Sequence, residues 1–191
     1  VVVRGWHGGD AQLIALADAL GGHDRTVKQF SANGPREDQR WHHVGHIDAE
    51  PARATLLYPA QVLTAAPGMA FVSMHAAWRA LPPQLQRDLR SATAAHVFTA
   101  TPDRTIAQPL VRTDSDKGPS LFLGYHAVRM HDETGTGLLD RLMQEATLSE
   151  RVYTHHFEPG DLLIWDNRAL MHRACALPAG AARVVREISV Y

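Results

Sequence analysis

Three histidines and a carboxylate crowd one short stretch of the sequence, Trp41-His42-His43-Val44-Gly45-His46-Ile47-Asp48. A further histidine stands far downstream in Trp165-Asp166-Asn167-Arg168-Ala169-Leu170-Met171-His172-Arg173. Imidazole is a neutral, borderline-soft donor, and a carboxylate balances the charge of a divalent cation. Two histidines and a carboxylate brought together by strands make a facial triad that suits iron(II) and leaves positions open for oxygen and a cosubstrate. The chain has twelve histidines, and metal ligation is one histidine role among several. His7, His23, His75, His96, His126, His131, His155 and His156 take the ordinary reading, as surface or hydrogen-bonded core groups.

The elements that must position such groups are mostly strands. Val1-Val2-Val3 is a β-branched run ended by Arg4-Gly5. Asp10 is the expected N-cap of a helix over residues 11–20, with Leu13, Leu16, Ala17 and Leu20 at helical spacing and Gly21-Gly22 as the stop. Residues 23–40 are polar and turn-rich, with a loop through 34–38. Strands are predicted over 54–58 and 68–72, then a helix over 74–81 capped by Ser73 and broken by Pro82-Pro83, and a further helical turn or two over 84–90. Residues 109–112 and 120–123 read as strands joined by a polar loop, and residues 137–146 as an amphipathic helix. Strands over 152–157, 162–165 and 183–190 close the chain. Many short strands and few helices predict an α+β domain built on a β-sandwich or jelly roll, with one domain over residues 1–191.

Composition narrows the function classes. A net charge of -1 lacks the strongly basic face that nucleic-acid binding requires. No apolar run reaches the ~20 residues of a membrane span, and no secretory leader precedes the first strand. Cys175 is the sole cysteine, which excludes an internal disulfide and a cysteine-based zinc site and fits a reducing, cytoplasmic setting. The preponderance of arginine over lysine reads as bacterial, GC-rich coding bias. The chain opens directly on a strand without an initiator methionine, as a trimmed piece, or one lacking internal loops, would.

Several segments resemble the taurine dioxygenase and 2,4-dichlorophenoxyacetate dioxygenase family. The family's Trp-His-x-Asp turn, with its following proline and strand, is similar to Trp41-His42 through Pro51-Ala52-Arg53-Ala54-Thr55-Leu56-Leu57. Its next helix resembles Ser73-Met74-His75-Ala76-Ala77-Trp78-Arg79-Ala80-Leu81-Pro82, and its middle strand Gln108-Pro109-Leu110-Val111-Arg112-Thr113. Its most specific signature resembles Pro159-Gly160-Asp161-Leu162-Leu163-Ile164-Trp165-Asp166-Asn167-Arg168 with His172 and Arg173. The resemblance implies a double-stranded β-helix (jelly roll) with flanking helices, and iron(II) and 2-oxoglutarate as cofactors. It implies His42 and His172 as iron ligands and Arg186, or Arg183, as the partner of the distal carboxylate of 2-oxoglutarate. A buried arginine suits that task because its planar fork forms two parallel charge-assisted hydrogen bonds.

Two positions depart from the family. The carboxylate of the His-x-Asp turn falls on Val44, which has no donor atom. A shifted register, His46-Ile47-Asp48, restores the triplet but abandons the Trp-His match, and His46 is an alternative third nitrogen ligand. The family's Gly-Asp-Thr loop, whose threonine helps to hold the cosubstrate, is represented by Gly68-Met69-Ala70, without a hydroxyl. Three readings follow: an oxygenase; a related halogenase with chloride in place of the missing carboxylate; or an iron-deficient member that binds small molecules or runs a metal-free reaction. The expected substrate is small and anionic or amino-acid-like. Asp166 and Asn167 are read as turn or supporting residues, Arg173 as facing either substrate or solvent, and Trp41 and Trp78 as core. Oligomeric state, including a homo-oligomer, stays open.

Overall fold

A computed structural model of the chain describes residues 1–22, 26–33, 40–62, 67–98, 101–113, 116–130 and 137–191. Strands β1 (Val2–Val3), β2 (Lys28–Asn33), β3 (Ala54–Val62), β11 (Leu162–Asp166) and β13 (Ala182–Val190) form one sheet in the order β1-β11-β3-β13-β2. Strands β4 (Pro67–Ser73), β10 (Val152–His156) and β12 (Leu170–Ala174) form a second, in the order β10-β4-β12. These two sheets pack face to face as a jelly roll. Along each strand alternate side chains turn to opposite faces. Leu57, Phe71, Leu163, Trp165 and Val185 accordingly meet between the sheets, with the Phe71 and Trp165 rings edge-on at 5.4 Å.

The outer faces carry the helices. Helix α1 (Asp10–Ala19) buries Leu13 and Ala17 against Leu56, Leu162, Ile188 and Val190 of the five-stranded sheet. Its N-cap is Gly9 rather than Asp10: Gln12 Oε1 accepts from the Gly9 N–H at 3.0 Å, and Asp10 opens the helix, where its charge complements the dipole. Helix α2 (Met74–Ala80) is capped as predicted, with Ser73 Oγ accepting from the Ala76 N–H at 3.2 Å. Pro83 opens α3 (Pro83–Leu89), where a missing N–H is harmless. Helices α2 and α4 (Leu138–Ala146) lie with β12 over a core of Trp78, Leu121, Leu142 and Met171.

A third sheet runs β6-β5-β9, from β5 (Thr93–Phe98), β6 (Thr101–Pro109) and β9 (Ala127–Met130), beside a small hairpin of β7 (Val111–Arg112) and β8 (Ser120–Leu121). None of β5, β6 or β9 was expected, and residues 28–33 form a strand within the stretch 23–40 that reads as polar and turn-rich. The loop expected at 34–38 lies outside the described residues, as do His23 and His131. Among the described residues no helix is long and apolar enough to cross a membrane.

Candidate functional site

Strand β12 turns Leu170, His172 and Ala174 into the sandwich and Met171 the other way. The His42 N–H donates to the His172 carbonyl at 3.0 Å and the His172 N–H donates back to the His42 carbonyl at 3.0 Å, an antiparallel bridge that adds His42 to the edge of β12. Their rings stand 4.4 Å apart between centroids. His42 Nδ1 donates to the Arg40 carbonyl at 2.8 Å; a carbonyl only accepts, so the proton sits on Nδ1 and Nε2 keeps its lone pair. His172 packs on Trp165 at 4.9 Å, and its Nδ1 is buried without a hydrogen-bond partner. Burial pushes the pKa of His42 down and that of His172 well down, so both imidazoles stay neutral, the form that ligates a metal.

Both rings line a cavity of about 350 Å³ between the two large sheets. Val44 and Met69 lie on its wall, with Leu57, Leu177 and Val185 as the apolar lining. Arg183 enters from β13, 8% exposed, donating from Nη1 to the Gly68 carbonyl at 2.7 Å and from Nη2 to the Cys175 carbonyl at 3.4 Å. Burial lowers its pKa, but a guanidinium stays protonated in proteins. Gly68 must be glycine for this packing: a Cβ there would collide with the Phe157 ring.

The expected residues separate cleanly. His42, His172, Val44 and Arg183 share the cavity. Arg186, one strand face over, points toward α1, where its Nη1 meets Asp10 Oδ2 at 3.4 Å beside Tyr58, whose hydroxyl donates to Asp10 Oδ1 at 2.9 Å. Asp48 pairs with Arg104 at 3.7 Å, and His46 stacks on His126 at 3.6 Å; neither lines the cavity. Among the described residues no three of His, Cys, Asp and Glu are placed to hold a metal, so these residues bring two imidazoles together without a third such ligand. Arg173 lies 4.9 Å over the Trp41 ring, outside the cavity, and Trp78 is core.

The turn after β11 fastens this geometry. Asn167 Oδ1 accepts from Trp165 Nε1 at 2.8 Å, its Nδ2 donates to Thr55 Oγ1 at 2.8 Å, and its carbonyl accepts from His43 Nδ1 at 2.7 Å. Asn167 thus ties β3, β11 and the His42 turn together just before β12 delivers His172. Asp166 closes the turn, accepting from the Arg168 N–H at 2.9 Å. Both act as positioning residues.

A family model for the taurine catabolism dioxygenase TauD, TfdA family matches residues 1–188. The chain belongs to that family. It is 33% identical over 185 residues to an alpha-ketoglutarate-dependent 2,4-dichlorophenoxyacetate dioxygenase of Cupriavidus pinatubonensis, a match covering 85% of this chain and 64% of that protein. It is 28% identical over 170 residues to the protein of the same name from a Burkholderia species, covering 78% of this chain and 57% of the relative. The chain thus spans less than two thirds of the length of these curated relatives. Among solved structures, AAD-2 in complex with Mn(II) and N-oxalylglycine superposes with a TM-score of 0.86 at 27% identity, over 99% of this chain and 81% of that one. A taurine dioxygenase from Burkholderia xenovorans shares the fold, with a TM-score of 0.84 at 20% identity over 100% of this chain and 75% of that one.

Against that family pattern, Val44 stands as an apolar wall beside two imidazoles, and the Gly68-Met69-Ala70 segment, matched to a loop of the family, lies within strand β4 and puts a thioether on the cavity. Two features escaped the sequence. Glu187, two strand positions beyond Val185, lines the same cavity; the alternation of β13 was the signal that could have found it. The second is a nest of imidazoles from the buried His43, His96 and His126 and the half-buried His46, with the His96 and His126 rings 4.8 Å apart and both nitrogens of each without a hydrogen-bond partner. Burial pushes His43 down to about 3 and His96 down to about 4, and holds His126 far below its ordinary value, with neighbouring imidazoles adding to each.

Proposed function

We propose that this chain is the core of an iron(II)- and 2-oxoglutarate-dependent oxygenase that oxidises a small molecule. The observation that carries the reading is the pair of neutral imidazoles, 4.4 Å apart, on the wall of a cavity that also holds the buried cation Arg183. The residues fit the cofactors in part. His42 and His172 would supply two nitrogen donors, and the site at Val44 would leave one more position to small ligands than a full triad does. Iron(II) with 2-oxoglutarate, when bound, supplies the oxidising chemistry that amino-acid side chains lack.

The chain's own residues bind, orient and exclude water. Arg183 would hold the distal carboxylate of 2-oxoglutarate; its fork is anchored by two main-chain carbonyls, so little side-chain freedom is lost on binding. Leu57, Met69, Leu177 and Val185 give the cavity an apolar side, which strengthens charge–charge contacts made against it. The names of the curated relatives support this reading over the halogenase and the iron-deficient alternative. We read the chain as one oxygenase-like domain, and the single Cys175 supports a reducing, cytoplasmic setting. We read the substrate as a small molecule, anionic or amino-acid-like; Arg183 is the one lining cation among the described residues, and the cosubstrate would occupy it.

The test is 2-oxoglutarate turnover by the iron-loaded, full-length protein, followed as succinate, alongside Mn(II) binding by calorimetry. Succinate formation that His172→Ala abolishes, with a matching loss of Mn(II) affinity, supports the proposal. Wild-type protein that takes up no metal at micromolar Mn(II) and forms no succinate refutes it.

A further inference from the structure

Across the three-stranded sheet β10-β4-β12, Tyr153, Phe71 and His172 stand in one row as direct cross-strand partners. Partners so placed turn their side chains to the same face. The rings follow: Phe71 lies 6.2 Å from His172 and stacks on Tyr153 at 6.5 Å. Trp165 of the facing sheet closes on this row, 4.9 Å from the His172 ring and 5.4 Å from Phe71. A continuous aromatic path thus runs from a candidate metal ligand to Tyr153. Trp165 is 4% exposed and Tyr153 58%, so the path leads from the interior to the surface.

The outer end of the path is built to take a proton. The Tyr153 hydroxyl donates to His155 Nδ1 at 3.4 Å, and His155 Nε2 donates to Asp161 Oδ2 at 2.8 Å. A carboxylate only accepts, so the ring proton sits on Nε2 and Nδ1 is left to accept from the phenol. His155 and Asp161 are both buried. Asp161 also accepts from Arg4 Nη1 at 2.6 Å and from the Glu158 N–H at 3.0 Å. Burial raises its pKa, and these bonds together with that from His155 bring it below its ordinary value, so it stays ionised. A carboxylate beside Nε2 stabilises the imidazolium that forms when Nδ1 gains a proton. Trp165 has no comparable acceptor, because its Nε1–H donates to the amide oxygen of Asn167, a weak base.

We propose that Trp165, Tyr153 and the His155–Asp161 pair form a redox relay that carries an oxidising equivalent from the His172 site to the surface when no substrate consumes it. The relay rests on the oxygenase reading for its oxidant, a one-electron oxidant of the class that iron(II), 2-oxoglutarate and oxygen supply together. Trp165 gives up one electron to that oxidant and becomes an indole radical cation. Tyr153 then returns one electron to the indole across the Phe71 ring, while its hydroxyl proton passes to His155 Nδ1. The products are neutral Trp165, a Tyr153 phenoxyl radical and an imidazolium held by Asp161. A small-molecule reductant of the thiol or ascorbate class gives one electron to the exposed phenoxyl, the proton returns from His155, and the phenol is restored. Phe71 only bridges, since its ring lacks the electron-donating heteroatom of indole and phenol.

Pulse radiolysis of the metal-free, full-length protein reads the relay apart from any metal. Azide radicals oxidise indoles before phenols, so the first product is a tryptophan radical. A Trp6→Phe background removes a second indole–phenol pair, Trp6 with Tyr58 at 6.5 Å. In that background the tryptophan signal is expected to convert to phenoxyl in a first-order step independent of protein concentration. Trp165→Phe and Tyr153→Phe should each abolish this step. His155→Gln should slow it by about 100-fold, the lower end of the range for a positioned proton acceptor. Should His155→Gln fail to fold, the step must instead slow in heavy water. Absence of the step, its survival in Trp165→Phe or Tyr153→Phe, or a rate indifferent to both His155→Gln and heavy water would each overturn the proposal. Iron-loaded protein given 2-oxoglutarate and oxygen without substrate supplies the second arm. There Tyr153→Phe should raise the oxygenated Trp165 seen in peptide mass spectra severalfold over wild type, and equal oxidation would overturn the protective role. Failure to form succinate counts against the oxygenase reading alone, because radiolysis reads the relay without metal.

Discussion

Acid should unfold this protein well before its carboxylates titrate, because the imidazole nest is buried neutral. His43, His96 and His126 are each 0% exposed, and burial holds all three far below the value of about 6.5 they take in an unfolded chain. The unfolded state therefore binds more protons than the folded state once the pH drops below about 6.5, and stability falls with pH. The loss grows until each folded-state pKa is reached, near 4 for His96 and near 3 for His43. At pH 5 each unfolded imidazole gains about 2 kcal/mol from protonation that its buried counterpart does not share. At pH 7 the gain is only about 0.2 kcal/mol. Three such groups remove about 5 to 6 kcal/mol between pH 7 and 5, comparable to the low end of the ~5–15 kcal/mol available to a domain. Urea unfolding of chelator-treated protein at pH 7, 6 and 5 measures this, and His96→Gln should reduce the difference by about 2 kcal/mol. A change below about 2 kcal/mol across that interval, or a His96→Gln protein with the wild-type pH dependence, would show that the imidazoles find protons or solvent in the fold.

The two arginines of β13 should behave differently. Arg183→Met is expected to weaken N-oxalylglycine binding by about 10- to 100-fold, through loss of a two-point charge-assisted contact. Arg186→Met should leave that binding intact and shift stability by less than about 1 kcal/mol, the range of a partly exposed pair such as Arg186–Asp10; calorimetry and denaturant midpoints check both, and the reverse pattern would assign the carboxylate to Arg186. Val44→Asp places a carboxylate on the cavity wall beside His42 and His172. It should raise Mn(II) affinity about tenfold or more by completing a triad, and unchanged affinity in a titration would mean that position 44 does not reach the metal.

Local pattern was enough to read much of this molecule. Ser73 capping α2, the Pro82-Pro83 break between α2 and α3, the Leu139, Leu142 and Ala146 stripe of α4, and the apolar runs of β3, β11 and β13 are short-range features that caps, periodicity and β-branching announce. The Trp-His turn and the Asp-Asn-Arg…His segment likewise marked His42 and His172, separated along the chain yet bridged in the fold. Strands β2 and β6 escaped because each lies at a sheet edge and is polar enough to read as loop. An edge strand is stabilised by pairing with its neighbour, here β13 or β5, so its own residues need not carry an alternating pattern.

What sequence alone determined was which groups could do chemistry: two histidines on strands, arginines near the C-terminus, and a valine where the family carries a carboxylate. Tertiary structure decided the rest. A one-residue step on a strand reverses the face, so β13 sends Arg183 and Glu187 into the cavity and Arg186 to Asp10, a choice set by sheet register and the burial of Val185. The same long-range packing gathers His43, His46, His96 and His126 from three separate segments into one nest, because contacts between distant residues arise only when the sheets close.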